Sequence, residues 1–254
     1  MATRKPAPKR NKKTQSAESA PPVSRSLTLL QWAVALALPW AIAAGIITWV
    51  VGAWYPSWTY DRPTFPPDPF GWTAEQRREL ALVAVDYLQR RDSAENSIHL
   101  LRDQRIPGTE QPLYNEREID HMLDVKHLTD AIRTGGLFLG ILVIGGLTLF
   151  FARRHSEPLA WLALWRGGLF TLAIVAAIGL FMLLAWDSFF VRFHELLFPP
   201  DTWTFNYSDS LIRLFPEKFW MDIGMIIVGG TLLGGGLAAI IGRWMRRRQD
   251  VLPS

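Results

Sequence analysis

Four stretches of this chain contain no Asp, Glu, Lys or Arg: residues 27–53, 137–151, 167–186 and 223–242. Crossing roughly 30 Å of hydrocarbon takes about 20 apolar residues in a helix. Inside that hydrocarbon, every backbone polar group has to be satisfied within its own segment. The first, third and fourth runs reach that length, and the second does so if its helix covers 134–152. The expectation is an all-α membrane protein with four transmembrane helices at 27–53, 134–152, 167–186 and 223–242. The first run follows a basic start, as a signal peptide would, but it exceeds an h-region of about 7–15 residues. Its end, GAWYPSW, also lacks a small-x-small cleavage site.

The basic residues set the orientation. The tail before Leu27, the turn between the second and third spans and the C-terminal tail together hold fourteen Lys and Arg against three acidic residues. The two remaining loops hold thirteen against twenty. Both termini are therefore expected in the cytoplasm, with an extracytoplasmic cap of helices and loops. The net charge of +4 is the sum of a basic inner and an acidic outer surface, which gives no support to nucleic-acid binding. With no cysteine in the chain, disulfides, thiolate metal sites and a cysteine nucleophile are excluded.

Residues 1–26, rich in Lys, Arg, Pro and Ser, have little to bury and read as a disordered basic cytoplasmic tail, able to hold the anionic inner leaflet. Segment 54–133 is too long for a plain connection and reads as an outer cap with two amphipathic helices. The first starts at Thr73, which has capping-box spacing to Gln76, and Leu80, Val83, Ala84, Tyr87 and Leu88 recur on one face. Residues 90–112 read as a loop turning at Pro107 and Gly108. The second helix starts after Asn115, has Glu118 three residues on, and is expected to run into the second span. Segment 153–166 reads as an inner turn, within which LAWLALW is either an interfacial segment or an early start of the third helix. Segment 187–222 reads as an outer aromatic loop, and 243–254 as a basic cytoplasmic tail. Glycines thread the second and fourth spans, so these two are expected to pack closely in the bundle.

Of five histidines, His155 reads as a solvated residue of the inner turn and His99 stands in a loop without a constellation. His127 lies six residues after His121, on a different side of the helix. His121 shares its helix face with Arg117 and Asp124, so that carboxylate can orient the ring. His194 sits among Phe189, Phe190, Phe193 and Phe198, where desolvation keeps an imidazole neutral and able to accept a proton. An ordinary structural reading stands beside this one: two polar tips anchored at the membrane interface. The HELLF at His194 has Phe198 where a zinc protease needs its second histidine. Metal binding by His121, Asp124, His194 and Glu195 is conceivable, but no spacing demands it, and no G-x-S-x-G elbow, Walker loop or dinucleotide fingerprint is present.

Three outer blocks carry a resemblance: YDRPTFPPDPFGWTAEQR at 60–77, NEREIDHMLDVK at 115–126 and FHELLFPPDTWTFNYSDSLIRLFPEKFW at 193–220. On these the chain, from about residue 27 to 242, resembles the lipoprotein intramolecular transacylases, a family of bacterial four-span membrane proteins. The resemblance implies an acyltransferase in the cell membrane, with its active face outside. It would move the sn-2 acyl chain of a lipoprotein's diacylglyceryl group onto the α-amine of the N-terminal cysteine, giving a lyso-form lipoprotein. It implies His121 and His194 as the catalytic pair, a diacylated lipoprotein and membrane phospholipid as partners, and no cofactor or metal. Asp124 would orient His121, while Arg117, Arg213 or Trp203 would serve the oxyanion or position substrate. A membrane acyl hydrolase and a non-enzymatic lipid-binding or assembly protein are the competing readings. The long basic tail is not part of the family pattern.

Overall fold

The computed structural model describes residues 24–153 and 155–251. The expected disordered tail, residues 1–26, lies outside the described residues up to position 23, as do the last three residues of the C-terminal tail. Ser24 caps α1 (Arg25–Val50) by accepting from the Leu27 amide. α2 (Trp54–Tyr60) follows after a three-residue break. α3 (Ala74–Gln89) starts at the Thr73–Gln76 capping box, with both reciprocal hydrogen bonds formed. Two short helices, α4 (Ala94–Ser97) and α5 (His99–Arg102), then lead to an isolated bridge between Arg105 and Pro112 around Gly108, which takes φ 80°. α6 (Glu116–Ala152) starts at the Asn115–Glu118 capping box and runs unbroken for 37 residues. α7 (Glu157–Leu184), α8 (Trp186–Leu197), α9 (Ser210–Leu214) and α10 (Glu217–Val251) complete the chain.

Four of these, α1, α6, α7 and α10, are long and apolar enough to cross a membrane. At about 1.5 Å per residue, α6 is far longer than the hydrocarbon is thick. Its polar first half, with Asp120, Asp124, Lys126, Asp130 and Arg133, stands outside the apolar span that starts at Thr134. Large apolar side chains such as Ile144 (68% exposed) and Leu233 (70%) point away from the bundle, as lipid-facing side chains of membrane-crossing helices do.

Of the two forms expected for LAWLALW the structure takes the early helix start, and two other stretches differ from the sequence expectation. LAWLALW is the start of the third span's helix, because Glu157 and Pro158 supply an acidic, proline-bearing first turn that lets α7 begin ten residues early. Residues 187–222 are largely helical: α8, α9 and the first turn of α10 replace the expected aromatic loop. The stretch 90–112 likewise holds α4 and α5, capped and tied by short-range hydrogen bonds that hydrophobic periodicity does not register.

In the bundle, α1 packs against α6, α7 and α10, and the most extensive pairing is α7 with α10. The glycines of the second and fourth spans meet different partners rather than each other. Gly146 of α6 faces Val34 of α1, whereas Gly235 of α10 faces Thr171 of α7. The tightest crossing of backbone on backbone is at Gly168, where an added Cβ would stand 2.5 Å from both the Ala239 amide nitrogen and the Gly235 carbonyl oxygen. Above the bundle, the cap has its own core of Tyr55, Tyr60, Ala84, Tyr87, Leu101, Ile119, Leu214 and Phe219. That core fixes α3 on the polar half of α6.

Backbone atoms cannot rotate away as a side chain can, so Gly168→Ala forces α7 and α10 apart at a cost of about 1–3 kcal/mol or more. Gly229→Ala, which meets nothing within 4 Å, leaves stability nearly unchanged. Thermal unfolding in detergent is expected to show a lowered Tm for the first and not for the second.

Candidate active site

The site forms where the cap end of α6, the helix α8 and the stretch from 203 to 220 converge. His121 and His194, distant along the chain, face each other with ring centroids 6.4 Å apart and planes inclined by 26°. Aromatic rings surround both. Phe198 and Phe205 stand edge-on to His121 at 4.9 and 5.3 Å. Phe190 and Trp203 flank His194 at 4.1 and 5.1 Å. The cleft these groups border encloses about 880 Å³ of empty space, open solvent at its mouth included. Its walls are otherwise almost entirely apolar, with Val50 and Val51 from the end of α1, Ala84 and Leu88 from α3, Met122 and Val125 from α6, and Leu211 and Phe215 from the α9 region.

Hydrogen bonding distinguishes the two rings. The Nδ1 of His194 lies 2.7 Å from the Phe190 carbonyl oxygen, one turn back on α8. A carbonyl only accepts, so Nδ1 carries the proton and Nε2 keeps its lone pair. By contrast, the Nδ1 of His121 is buried without a partner. Burial holds the pKa of His194 below the ordinary histidine value, with the Phe190 carbonyl opposing it. His121, on the extramembrane half of α6, is held lower by burial first and by the nearby His194 second. Both rings are therefore neutral near pH 7.

Other residues singled out in the sequence fall in three places. Trp203 lines the cleft beside His194. Arg117 stands at the rim, 5.7 Å over the Phe205 ring and 3.6 Å from Asp209. Arg213 and Asp124 depart from expectation. The guanidinium of Arg213 donates twice to the buried carboxylate of Asp68, at 2.8 and 3.2 Å, and stacks 3.2 Å over Trp72, so it is committed to the cap. Asp124 forms no hydrogen bond with His121, whose orientation comes from ring packing instead. Glu195 pairs with Arg192 at 2.8 Å on the far side of α8. Among the described residues, no three His, Asp or Glu side chains converge in a way that could hold a metal. His127 pairs with Glu95 at 3.0 Å, and His99 bonds the Asn96 carbonyl.

Sequence reading assigned Glu118 only a capping role. Its buried carboxylate accepts from the Asn115 amide at 2.8 Å and also from the Leu211 amide at 2.7 Å, tying the His121 helix to α9. Burial raises its pKa against the lowering effect of those two N–H groups. Four further bonds hold the same strap. Tyr55 donates to the Phe219 carbonyl at 2.8 Å and Arg77 to the Arg213 carbonyl at 2.8 Å, while Tyr60 and Ser210 donate to the carbonyls of Leu214 and Leu113. Lys126, fully buried, donates to the Arg90 carbonyl at the end of α3 and to Asp130. In the sequence, Lys126 shows only an i,i+4 spacing to Asp130.

Comparison with known proteins places this arrangement. The family model described as lipoprotein intramolecular transacylase Lit matches residues 32–220. An uncharacterized protein of Aquifex aeolicus is 28% identical over 185 residues, covering 73% of this chain and 80% of the relative. The structure of the membrane-integral lipoprotein intramolecular transacylase Lit of Bacillus cereus superimposes with a TM-score of 0.72 at 21% identity, covering 89% of this chain and 99% of that one. A further structure of that protein with a histidine replaced by alanine matches with a TM-score of 0.67 at 20% identity, over 89% and 96% of the two chains. The family model spans both histidines and most of the cap and bundle, and the chain belongs to the lipoprotein intramolecular transacylases, a family of membrane-integral acyltransferases.

Proposed function

We propose that this chain transfers the sn-2 acyl group of a diacylated lipoprotein to the α-amine of the lipoprotein's N-terminal cysteine, at the outer face of the bacterial cell membrane. The observation that carries this reading is the pair of neutral imidazoles, 6.4 Å apart, across an apolar cleft. The cationic inner segments support the orientation, with both termini in the cytoplasm and the cap outside. Donor ester and acceptor amine belong to one molecule, so no protein nucleophile is required, in keeping with a chain without cysteine. Holding the two at near-attack distance contributes on the order of 7–11 kcal/mol at best.

The amine nitrogen attacks the ester carbonyl and forms the new C–N bond, while its proton passes to Nε2 of His194, the lone pair left free by the Phe190 bond. His121, neutral, donates the N–H of its Nε2, the ring nitrogen that is not buried, to the developing oxyanion. The C–O bond to the glycerol carbon's oxygen then breaks. The imidazolium of His194 returns the proton to that oxygen, so the amide and the free sn-2 hydroxyl form with charge and protons balanced. Trp203 and Phe190 hold the His194 ring in place during both transfers. Arg117 stays at the rim to meet polar parts of the lipopeptide. An apolar cleft disfavours a hydrolytic water, which favours transfer to the amine over release of free fatty acid.

His121→Ala and His194→Ala are each expected to lower turnover by at least about 10²-fold, the usual scale of a lost acid–base or oxyanion group. Both proteins should keep the wild-type elution profile in detergent. Activity within about threefold of wild type in either variant contradicts the pairing. The pH profile is a second check. Protonation of the substrate amine lowers the rate below about pH 8. The lowered pKa of His194 adds a second, steeper limb only below the ordinary histidine value of about 6.5. A second limb at or above pH 7 contradicts a buried neutral base.

A further inference from the structure

Helix α8 carries His194 yet contributes no buried residue. At about 100° per residue, Trp186, Phe189, Phe190, Phe193, Leu196 and Leu197 share one arc, and Ser188, Arg192 and Glu195 lie opposite. The polar side is solvated, with Arg192 and Glu195 exposed and paired at 2.8 Å. The apolar arc is divided. At one edge, Phe190 and His194 line the cleft. The remainder stands open, with Phe193 43% and Leu196 82% exposed.

What covers that open part is indicated by where α8 starts. Only Ala185 separates it from α7, whose last turn presents Leu183 and Leu184 outward, the latter 77% exposed, on the surface of a membrane-crossing helix. The exposed apolar strip thus continues without interruption from the end of a span onto a two-faced helix. A helix with one charged and one aromatic-rich apolar side, attached at the level where a span ends, partitions into the headgroup–acyl boundary.

We infer that α8 is docked in the outer leaflet, with Phe193, Leu196 and Leu197 among the acyl chains and Arg192 and Glu195 in water, and that this docking sets the depth of His194. Phe190 occupies the border between the lipid-facing and cleft-facing parts of one apolar arc, and His194 lies next to it on the cleft side. An ester at the headgroup–acyl boundary therefore reaches His194 past Phe190 without its chain crossing water. The docking stands on the geometry of α8 alone, whereas its role in presenting the ester rests on the transacylase reading.

The absence of cysteine makes the test direct. Single-cysteine variants Ser188→Cys, Phe193→Cys, Glu195→Cys and Leu196→Cys are spin-labelled in phosphatidylcholine–phosphatidylglycerol vesicles, and collision with oxygen and with a water-soluble nickel chelate is measured. Labels at 193 and 196 are expected to meet oxygen and exclude nickel, and labels at 188 and 195 to do the reverse. Nickel access at 193 and 196 places that face in water and overturns the docking. Shielding from both probes places a protein, such as a second copy of this chain, against it and overturns the docking equally. For the depth role, Leu196→Glu is expected to lower kcat/KM at least fivefold, chiefly through KM, for a lipoprotein substrate in vesicles. Unchanged kinetics in Leu196→Glu overturns that role, and the labelling result stands whatever the histidine variants do.

Discussion

The site depends on one buried carboxylate. Glu118 lies on the polar half of α6, one turn before His121, and accepts the Leu211 amide as well as its own capping bond from Asn115. Burying a carboxylate is costly unless donors take the place of water, and the two backbone N–H groups offset part of that cost, burial still leaving the pKa raised. The bond to the Leu211 amide ties the strap that carries Leu211 and Phe215 directly to the helix carrying His121, and so holds one wall of the cleft against the histidine. Tyr55 and Tyr60 from α2 and Arg77 from α3 fasten the same strap, and Ser210 on the strap donates to the Leu113 carbonyl in the segment before α6.

With the strap in place, the chemistry follows from what the cleft lacks. Among the described residues no carboxylate bonds either histidine, so neither ring is pushed towards imidazolium, and burial keeps both neutral. The low-dielectric walls strengthen each remaining polar contact. With Nδ1 of His194 held by the Phe190 carbonyl and Nδ1 of His121 buried, the Nε2 atoms of the two rings are left as the ones a substrate can meet. In the membrane, tight glycine crossings such as Gly168 against α10 give this cap a rigid footing.

Much of this was legible in the sequence, for physical reasons that also mark where legibility ended. Charge-free runs of span length report the bilayer directly, so the four crossings were readable. The Thr73 and Asn115 capping boxes gave two helix starts through local chemistry. The two histidines could be singled out because each sits in a polar or aromatic block next to a span, and the outer motifs carried the family resemblance. Long-range bonds were out of reach. That Arg213 goes to Asp68, that Glu118 reaches Leu211 and that Lys126 caps α3 depends on contacts across scores of residues. Local pattern had also assigned Asp124 to His121 by helical spacing alone, whereas ring packing orients the histidine. Residues 187–222 read as a loop because dense aromatics and prolines hid the two-faced periodicity of α8.

The central claim is that the acyl chain moves within one lipoprotein, from glycerol to amine, in this cleft. The most direct measurement is a mass spectrum of the N-terminal lipopeptide of a lipoprotein produced together with this chain in cells that have no other N-acylating activity. The account predicts a peptide of unchanged total mass whose fragments carry one acyl group on the cysteine nitrogen and one on the glycerol. A peptide with both acyl groups still on glycerol, or one lighter by a whole acyl chain, would contradict it.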